Sequence, residues 1–340
     1  MPFAIPDDVL AAFPLGDVHA VTPATAGLIH STFRVDAERG SFILQRLHPV
    51  LSSEAIAEDF WQVTEFLRGK NFPAPRCVRS NAGSVLVQDA EGKPWRAQTF
   101  LPDGVTHLRV RTPAMAAEAA GLYARFHRVM LDFSHPFASA RRLPSPRVFA
   151  DFDETAQSHE GSDLFDAVTE EVAFIRQEMP RLFLPDGLRA RAVHGDPKIS
   201  NILFDTSDRA MALVDLDTCG RRPIALELGD AFRSWCGLEE DRADNAFRLD
   251  VFEAGWKAYH AAADFLTPQE IGTVGQGIAL ITMELASRFL ADYFNDRYFG
   301  WDAARYPSRR AHNLARARGG LALYRNFVAK RDEVERILHD

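Results

Sequence analysis

The stretch that decides the fold runs from Val193 to Leu216: VHGDPKISNILFDTSDRAMALVDL. Its polar residues fall in a fixed order. Asp196 follows His194-Gly195, Asn201 comes five residues after Asp196, and Asp215 closes an apolar run fourteen residues beyond Asn201. Arg191 to Val193, Ile202 to Asp205 and Ala210 to Leu216 are short apolar segments around polar loops, which reads as a loop, a hairpin and a strand ending on an acid. Each residue alone has a bland reading, because Asx residues form turns and end strands. The spacing as a whole argues for oxygens gathered at one place. Asp196 is then a carboxylate that accepts a hydroxyl proton, and Asn201 and Asp215 are hard oxygen ligands for magnesium between phosphates.

That order matches the catalytic-loop logic of kinases, H-R-D-x-x-x-x-N followed by D-F-G. Two departures are visible: Gly195 stands where protein kinases carry Arg, and no Phe-Gly follows Asp215. Several neighbours keep two readings. His194 is either a base or, more in keeping with its place, the residue that orients the loop backbone. Lys198 either stabilises the transferring phosphate or is a solvated charge. Asp217 is a candidate second metal-shell acid. In the run ALELGDAFR, Glu227 and Asp230 begin a helix, with Asp230 expected to accept hydrogen bonds from the catalytic loop.

Working outward, Ser31 to Asp36 and Ser41 to Leu47 read as strands joined by a turn at Glu38-Arg39-Gly40. Ile56, Phe60, Val63 and Leu67 fall on one face of a helix spanning 54–68, capped by Ser52 or Ser53. Ser84 to Gln88 and Trp95 to Leu101 look like further strands. Pro102-Asp103-Gly104 then breaks the pattern and marks a lobe boundary. Beyond it, 114–130, 164–179, 240–263, 268–294 and 310–337 read as helices. The expectation is an α+β, bilobal, protein-kinase-like chain, with an N-lobe at 1–101 (antiparallel sheet plus one helix) and a mainly helical C-lobe at 102–340 carrying the catalytic loop.

Composition narrows the function classes. The chain has 340 residues, room for two cores. Its 39 basic and 47 acidic residues give a net charge of -8, which argues against a nucleic-acid partner. Cys77, Cys219 and Cys236 have neither disulfide-framework nor zinc spacing. The N-terminus lacks a signal-peptide pattern and no run is apolar enough for a membrane span. A reduced, cytoplasmic protein is expected, free of membrane, as a monomer or homodimer.

The sequence resembles the aminoglycoside phosphotransferase group of the kinase-like superfamily and, more narrowly, is similar to the N-acetylhexosamine 1-kinases. The resemblance is carried by SFILQRL (41–47), EDFWQVTEFLR (58–68), WRAQTFL (95–101), HGDPKISNILFD (194–205), LVDLDT (213–218), ELGDAFR (227–233), ELASRFLADYFNDRYF (284–299) and HNLARAR (312–318). It implies a five-stranded N-lobe with one helix and ATP bound between the lobes with magnesium. Asp196 is then the base, and Asn201 and Asp215 hold the metal. Nucleotide contacts are expected from Gly27 and His30 in the loop Thr25 to Ser31, from Gln45 or Arg46, from Glu58 and from Phe100. Gln45 stands about where a phosphate-binding Lys is expected, with Arg46 beside it, and only one of the two can point inward.

Three functions compete. A sugar kinase acting on the anomeric hydroxyl of an N-acetylhexosamine leads, with Arg288, Asp292 and Tyr298 as substrate contacts beside Asp196. A kinase for an aminoglycoside, choline or homoserine is second; a cationic acceptor needs an acidic cluster, and Arg288 and Arg297 interleave with Glu284, Asp292 and Asp296. Glu284, Arg288 and Asp292 also fit a salt-bridged row on one helix face. A pseudokinase is third, disfavoured by the intact Asp196, Asn201 and Asp215.

Overall fold

A computed structural model describes residues 4–24, 30–49, 52–138 and 144–340. Gly27 lies outside them. Helix α1 (Asp7–Ala12) precedes an antiparallel sheet of β1 (Val18–Ala24), β2 (Ser31–Ala37) and β3 (Gly40–Arg46). Helix α2 (Glu54–Gly69) follows, then β4 (Cys77–Val78), β5 (Val87–Gln88) and β6 (Pro94–Thr99). The strand order is β1-β2-β3-β6-β4, with β5 also on β6, so the sheet has six strands where five were expected; the sixth comes from the two-residue pieces β4 and β5 on either part of β6.

Period-two alternation sorts the faces of this sheet. Phe33 and Val35 of β2, Phe42 and Leu44 of β3, and Trp95 and Ala97 of β6 form a small core with Val9 of α1 and Phe13 just after it. Arg96 and Gln98, on the other face of β6, are buried polar residues. The β3–β6 register pairs Gln45 with Arg96 and Arg46 with Trp95. Gln45 therefore shares Arg96's face, and Arg46 sits on the face of the small core.

Ser53 caps α2, its hydroxyl accepting from the Ile56 amide at 3.3 Å. Phe60, Val63 and Leu67 of α2 join the large core of the C-terminal helices, so this helix ties the sheet to the rest of the chain. After the turn at Pro102-Asp103, the Val105 and Phe204 backbones exchange two hydrogen bonds of 2.9 Å.

The remainder is mainly helical: α3 (Pro113–Met130), α4 (Pro146–Gln157), α5 (Asp163–Asp166) and α6 (Thr169–Glu178). Next come the short pairs β7 (Ala190–Val193) with β10 (Gly220–Pro223) and β8 (Ile202–Phe204) with β9 (Ala210–Leu213). Helices α7 (Ile224–Cys236), α8 (Leu249–Ala262), α9 (Pro268–Ile271), α10 (Val274–Asn295), α11 (Arg309–Ala329) and α12 (Arg331–His339) complete it. The expected helix at 240–263 starts only at Leu249. Before it the backbone closes local turns, Arg242 N–H to Glu239 O and Asn245 N–H to Arg242 O, while Asn245 Oδ1 accepts from the Leu238 amide. The expected segments 164–179, 268–294 and 310–337 are each broken once, at Ala167-Val168, Gly272-Thr273 and Lys330. Among the described residues no helix is long and apolar enough to cross a membrane.

Helices α7 and α10 touch backbone to backbone. A Cβ at Gly277 would stand 2.1 Å from the Ala225 carbonyl, and one at Gly229 would stand 2.4 Å from the Gly277 carbonyl. Gly277→Ala must push the helices apart, and overpacking of this kind costs about 1–3 kcal/mol or more. Chemical denaturation should register that loss, whereas Gly272→Ala, whose nearest neighbour would be 3.4 Å away, should fall within experimental error of the parent.

Candidate active site

The segment His194–Asn201 has most of its backbone groups paired, as a buried loop requires. The His194 and Gly195 amides donate to Glu227 Oε1 and Oε2 at 3.0 and 2.9 Å. Thr218 Oγ1 donates to the His194 carbonyl at 3.0 Å, and Trp235 Nε1 donates to the Pro197 carbonyl at 2.9 Å. The Asn201 amide bonds the Lys198 carbonyl, and the Val214 amide bonds the Asn201 carbonyl. His194 is buried; its Nε2 meets the Val214 carbonyl at 2.9 Å and its Nδ1 accepts from the Asp196 amide at 3.4 Å. Both ring nitrogens are thus engaged by backbone, and the histidine orients the loop.

The loop acceptor is Glu227, not Asp230 as the sequence reading had it. Both lie on α7, but Glu227 faces inward beneath the loop, with His127 Nε2 3.5 Å from it. Burial alone would raise the Glu227 carboxyl; His127, Arg222 and His194 outweigh it and hold it below its ordinary value. Asp230 instead accepts from Arg233 at 2.6 and 3.1 Å. Burial and the nearby Asp196 charge push its carboxyl up despite Arg233.

Asp196 and Asn201 converge as their spacing suggested. Asn201 Nδ2 donates to the Asp196 carbonyl at 2.9 Å and to its carboxylate at 3.1 Å. The carbonyl bond fixes the amide's orientation, so Asn201 Oδ1 is turned the other way. Lys198 Nζ donates to Asp196 Oδ2 at 2.6 Å. Burial would raise the Asp196 carboxyl, but the Lys198 ammonium, His194 and the Asn201 amide hold it below the usual carboxylate range.

Asp215 follows β9 with φ 63° and caps a short 3₁₀ turn over Leu216–Thr218, a left-handed conformation that Asp tolerates better than most side chains. Burial first, then the charges of Asp217 and Asp196, push its carboxyl up, with only partial relief from Lys198 and His194. It is a carboxylate short of positive charge. Asp217 is the opposite case. It accepts from both terminal nitrogens of Arg96, with Nη2 at 2.9 Å, and His30 Nε2 lies 3.7 Å away. Its expected role as a metal-shell acid meets a different arrangement, in which a guanidinium already occupies its oxygens.

The remaining expected residues are more scattered. Gln45 Oε1 accepts from Arg96 at 2.6 Å. Glu58 accepts from Gln62 on its own helix at 2.7 Å and makes no ion pair with β3 among the described contacts. His30 Nδ1 accepts from the His48 amide at 3.1 Å. Phe100 follows β6, with the Arg34 guanidinium 4.3 Å from its ring centre. Asp292 does not present an open carboxylate, because it accepts from the Arg297, Tyr298 and Phe299 amides at 2.9–3.0 Å and from Asn313 Nδ2 at 2.8 Å. Arg288 pairs loosely with Glu284 at 3.9 Å and stands 5.9 Å from the ring centre of Tyr298, itself 66% exposed. Sequence reading missed Glu227's grip on the loop and Arg96 altogether. Glu227 offered a signal in sharing the quoted run with Asp230; Arg96 offered none, since its facing depends on register.

Gly195 explains the departure from the protein-kinase Arg. Its φ is +86°, and a Cβ there would lie 2.1 Å from the Thr218 carbonyl. Any side chain is excluded by strain and by contact with backbone. Gly195→Ala should therefore displace the loop and cut kcat by at least about 100-fold, read alongside a lowered melting temperature. A wild-type kcat would show that the loop does not need this approach.

A family profile described as "Phosphotransferase enzyme family" matches residues 20–265. The chain is 25% identical over 250 residues to a homoserine kinase of Xanthobacter autotrophicus, covering 73% of this chain and 74% of that one. In fold it is similar to an aminoglycoside phosphotransferase of Alicyclobacillus acidocaldarius, with TM-score 0.68, 14% identity and coverage of 99% and 98%. It is also similar to an amicoumacin kinase solved with AMP-PNP, calcium and its ligand, with TM-score 0.62, 16% identity and coverage of 91% and 90%. The fold is thus the bilobal kinase-like one, and with the profile spanning well over half its length the chain belongs to the phosphotransferase enzyme family.

Proposed function

We propose that this phosphotransferase is an ATP- and magnesium-dependent kinase of a small-molecule alcohol, with residues 1–101 and 102–340 as the lobes on either side of the nucleotide. The observation that carries the reading is Asp196, kept ionised by Lys198 and Asn201 at the head of a rigid loop. In this role Asp196 orients the acceptor hydroxyl and takes its proton. Lys198, 40% exposed at its side chain, can turn from Asp196 to the transferring phosphate. The residues present fit a magnesium ion. Burial and the charges of Asp217 and Asp196 push the Asp215 carboxyl up, and Asn201 Oδ1 is turned away from Asp196. Among the described residues no three His, Cys, Asp or Glu side chains form a complete cage, as suits an ion that keeps waters and phosphate oxygens in its shell. When bound, the ion supplies charge neutralisation between the β- and γ-phosphates. Asp196→Asn should lower kcat about 100- to 10,000-fold while Mg-ATP still binds. Asp215→Ala should instead remove the magnesium-dependent part of ATP affinity by calorimetry. Near-wild-type turnover in the first variant would take the base role from Asp196, and an unchanged magnesium effect in the second would move the metal elsewhere.

For the acceptor, the state of the acids supports an uncharged or zwitterionic molecule over a cation. Asp230 is paired with Arg233, Glu284 stands near Arg288, and Asp292 is consumed by backbone amides. An N-acetylhexosamine phosphorylated at its anomeric oxygen fits this balance and the resemblance of 284–299. The loss of Asp292 leaves Arg288 and Tyr298 as its sequence-proposed contacts. A hydroxy amino acid is the second reading, favoured by the homoserine kinase relative and by the alternating charges Asp230, Arg233, Glu240 and Arg316. A coupled assay over N-acetylhexosamines, hexoses, homoserine, choline and an aminoglycoside, with phosphorus NMR of the product, separates them. Turnover and an anomeric phosphate are expected with an N-acetylhexosamine; turnover confined to homoserine selects the second reading, and turnover confined to cations overturns both.

A further inference from the structure

The expected cation of the nucleotide site is missing from β3. Gln45 holds the inward position, Arg46 lies on the opposite face, and Glu58 bonds within its own helix. A neutral amide there leaves the phosphate end of the cleft without the ammonium that kinases place on this strand. The neighbouring strand carries a charge in its stead. Arg96 of β6 sits directly across from Gln45, on the same face, with its side chain 2% exposed.

Its surroundings are built rather than incidental. The guanidinium lies 3.8 Å from the centre of the Phe60 ring of α2, and stacking of this kind fixes its plane. It donates three hydrogen bonds, two to Asp217 and one to Gln45. Of its five N–H donors, the one on Nε is buried without a partner among the described residues. Asp217 lies two residues beyond Asp215, whose charge also acts on Arg96. A buried, oriented, incompletely bonded guanidinium thus stands beside the two residues argued above to hold magnesium and to replace the β3 lysine.

We infer that Arg96 is the cation of the N-lobe that binds the nucleotide phosphates, taking over from β6 the task that Gln45 cannot perform. Gln45 presents its carbonyl to Arg96 and so positions it. Asp217 and His30 hold the same guanidinium and its partner against the segment bearing Asp215. The inference rests on the kinase reading, and the two are separable by experiment.

Calorimetry of ATP with magnesium, and of adenosine, should be run on wild type, Arg96→Gln and the double variant Gln45→Lys/Arg96→Gln. Wild type is expected to bind Mg-ATP. Arg96→Gln should weaken ATP about ten- to a hundredfold, leaving adenosine affinity and the acceptor KM unchanged, because only the phosphate contact is lost. The double variant, with an ammonium back on β3, should regain part of the ATP affinity. Unchanged ATP affinity in Arg96→Gln, or equal losses for ATP and adenosine, would overturn the inference. Should Arg96→Gln not fold, Arg96→Lys decides, since it keeps the charge and changes the donor geometry: ATP weakened with adenosine affinity unchanged supports the inference, and both affinities unchanged, or equally reduced, overturn it. A wild type that binds no Mg-ATP would sink the kinase reading itself.

Discussion

The Glu227 carboxylate, buried under the loop 194–201, is the contact on which the rest of the site depends. It accepts two successive backbone amides, and those bonds turn the chain at Gly195 into a conformation that only glycine takes easily. From that turn Asp196 is delivered to its place, and Asn201 closes back onto the Asp196 carbonyl. The carboxylate can do this because α7 is fixed. Its Ala225 and Gly229 lie against the α10 backbone at Gly277, too close for a side chain. A contact between two glycine-bearing helices is thereby transmitted to the geometry of a loop that neither helix contains.

The charges around that loop are distributed unevenly. Asp196 is matched by Lys198, Asp217 by Arg96 and Asp230 by Arg233. Among the described residues Asp215 has no comparable partner, and its carboxyl is pushed up by burial and by two neighbouring acids. A buried carboxylate in that state is costly unless a cation arrives. The site therefore carries unbalanced negative charge at Asp215. Asp217 and Asp230 are taken up by guanidinium groups of the protein itself.

The same contrast separates sequence from structure elsewhere. The helix at 54–68, the hairpin at 31–47 and the loop-hairpin-acid order were legible because apolar period and turn residues are local signals. The helix expected from 240 was not, since the Asn245 side chain and the Arg242 backbone close turns that periodicity cannot see. Asp292 looked like a substrate acid on a helix face. In the fold it ends that helix by accepting three amides of the following loop, because Asp296 reverses the chain with φ 53°.

The order of Asp196, Asn201 and Asp215 could be read directly from the chain, because the three are close in sequence and lie on one continuous path that the fold brings together. The bilobal class was legible for the same reason: strand and helix periods are properties of short segments. Folding settled which acid grips the loop, which residue faces inward on β3, and that Arg96 meets Asp217. Glu227 and Arg96 reach their partners across 33 and 121 residues of chain. Which side chains meet over such separations is set by helix packing and strand register, and a one-residue shift of register would have exchanged Arg96 for Trp95 or Ala97.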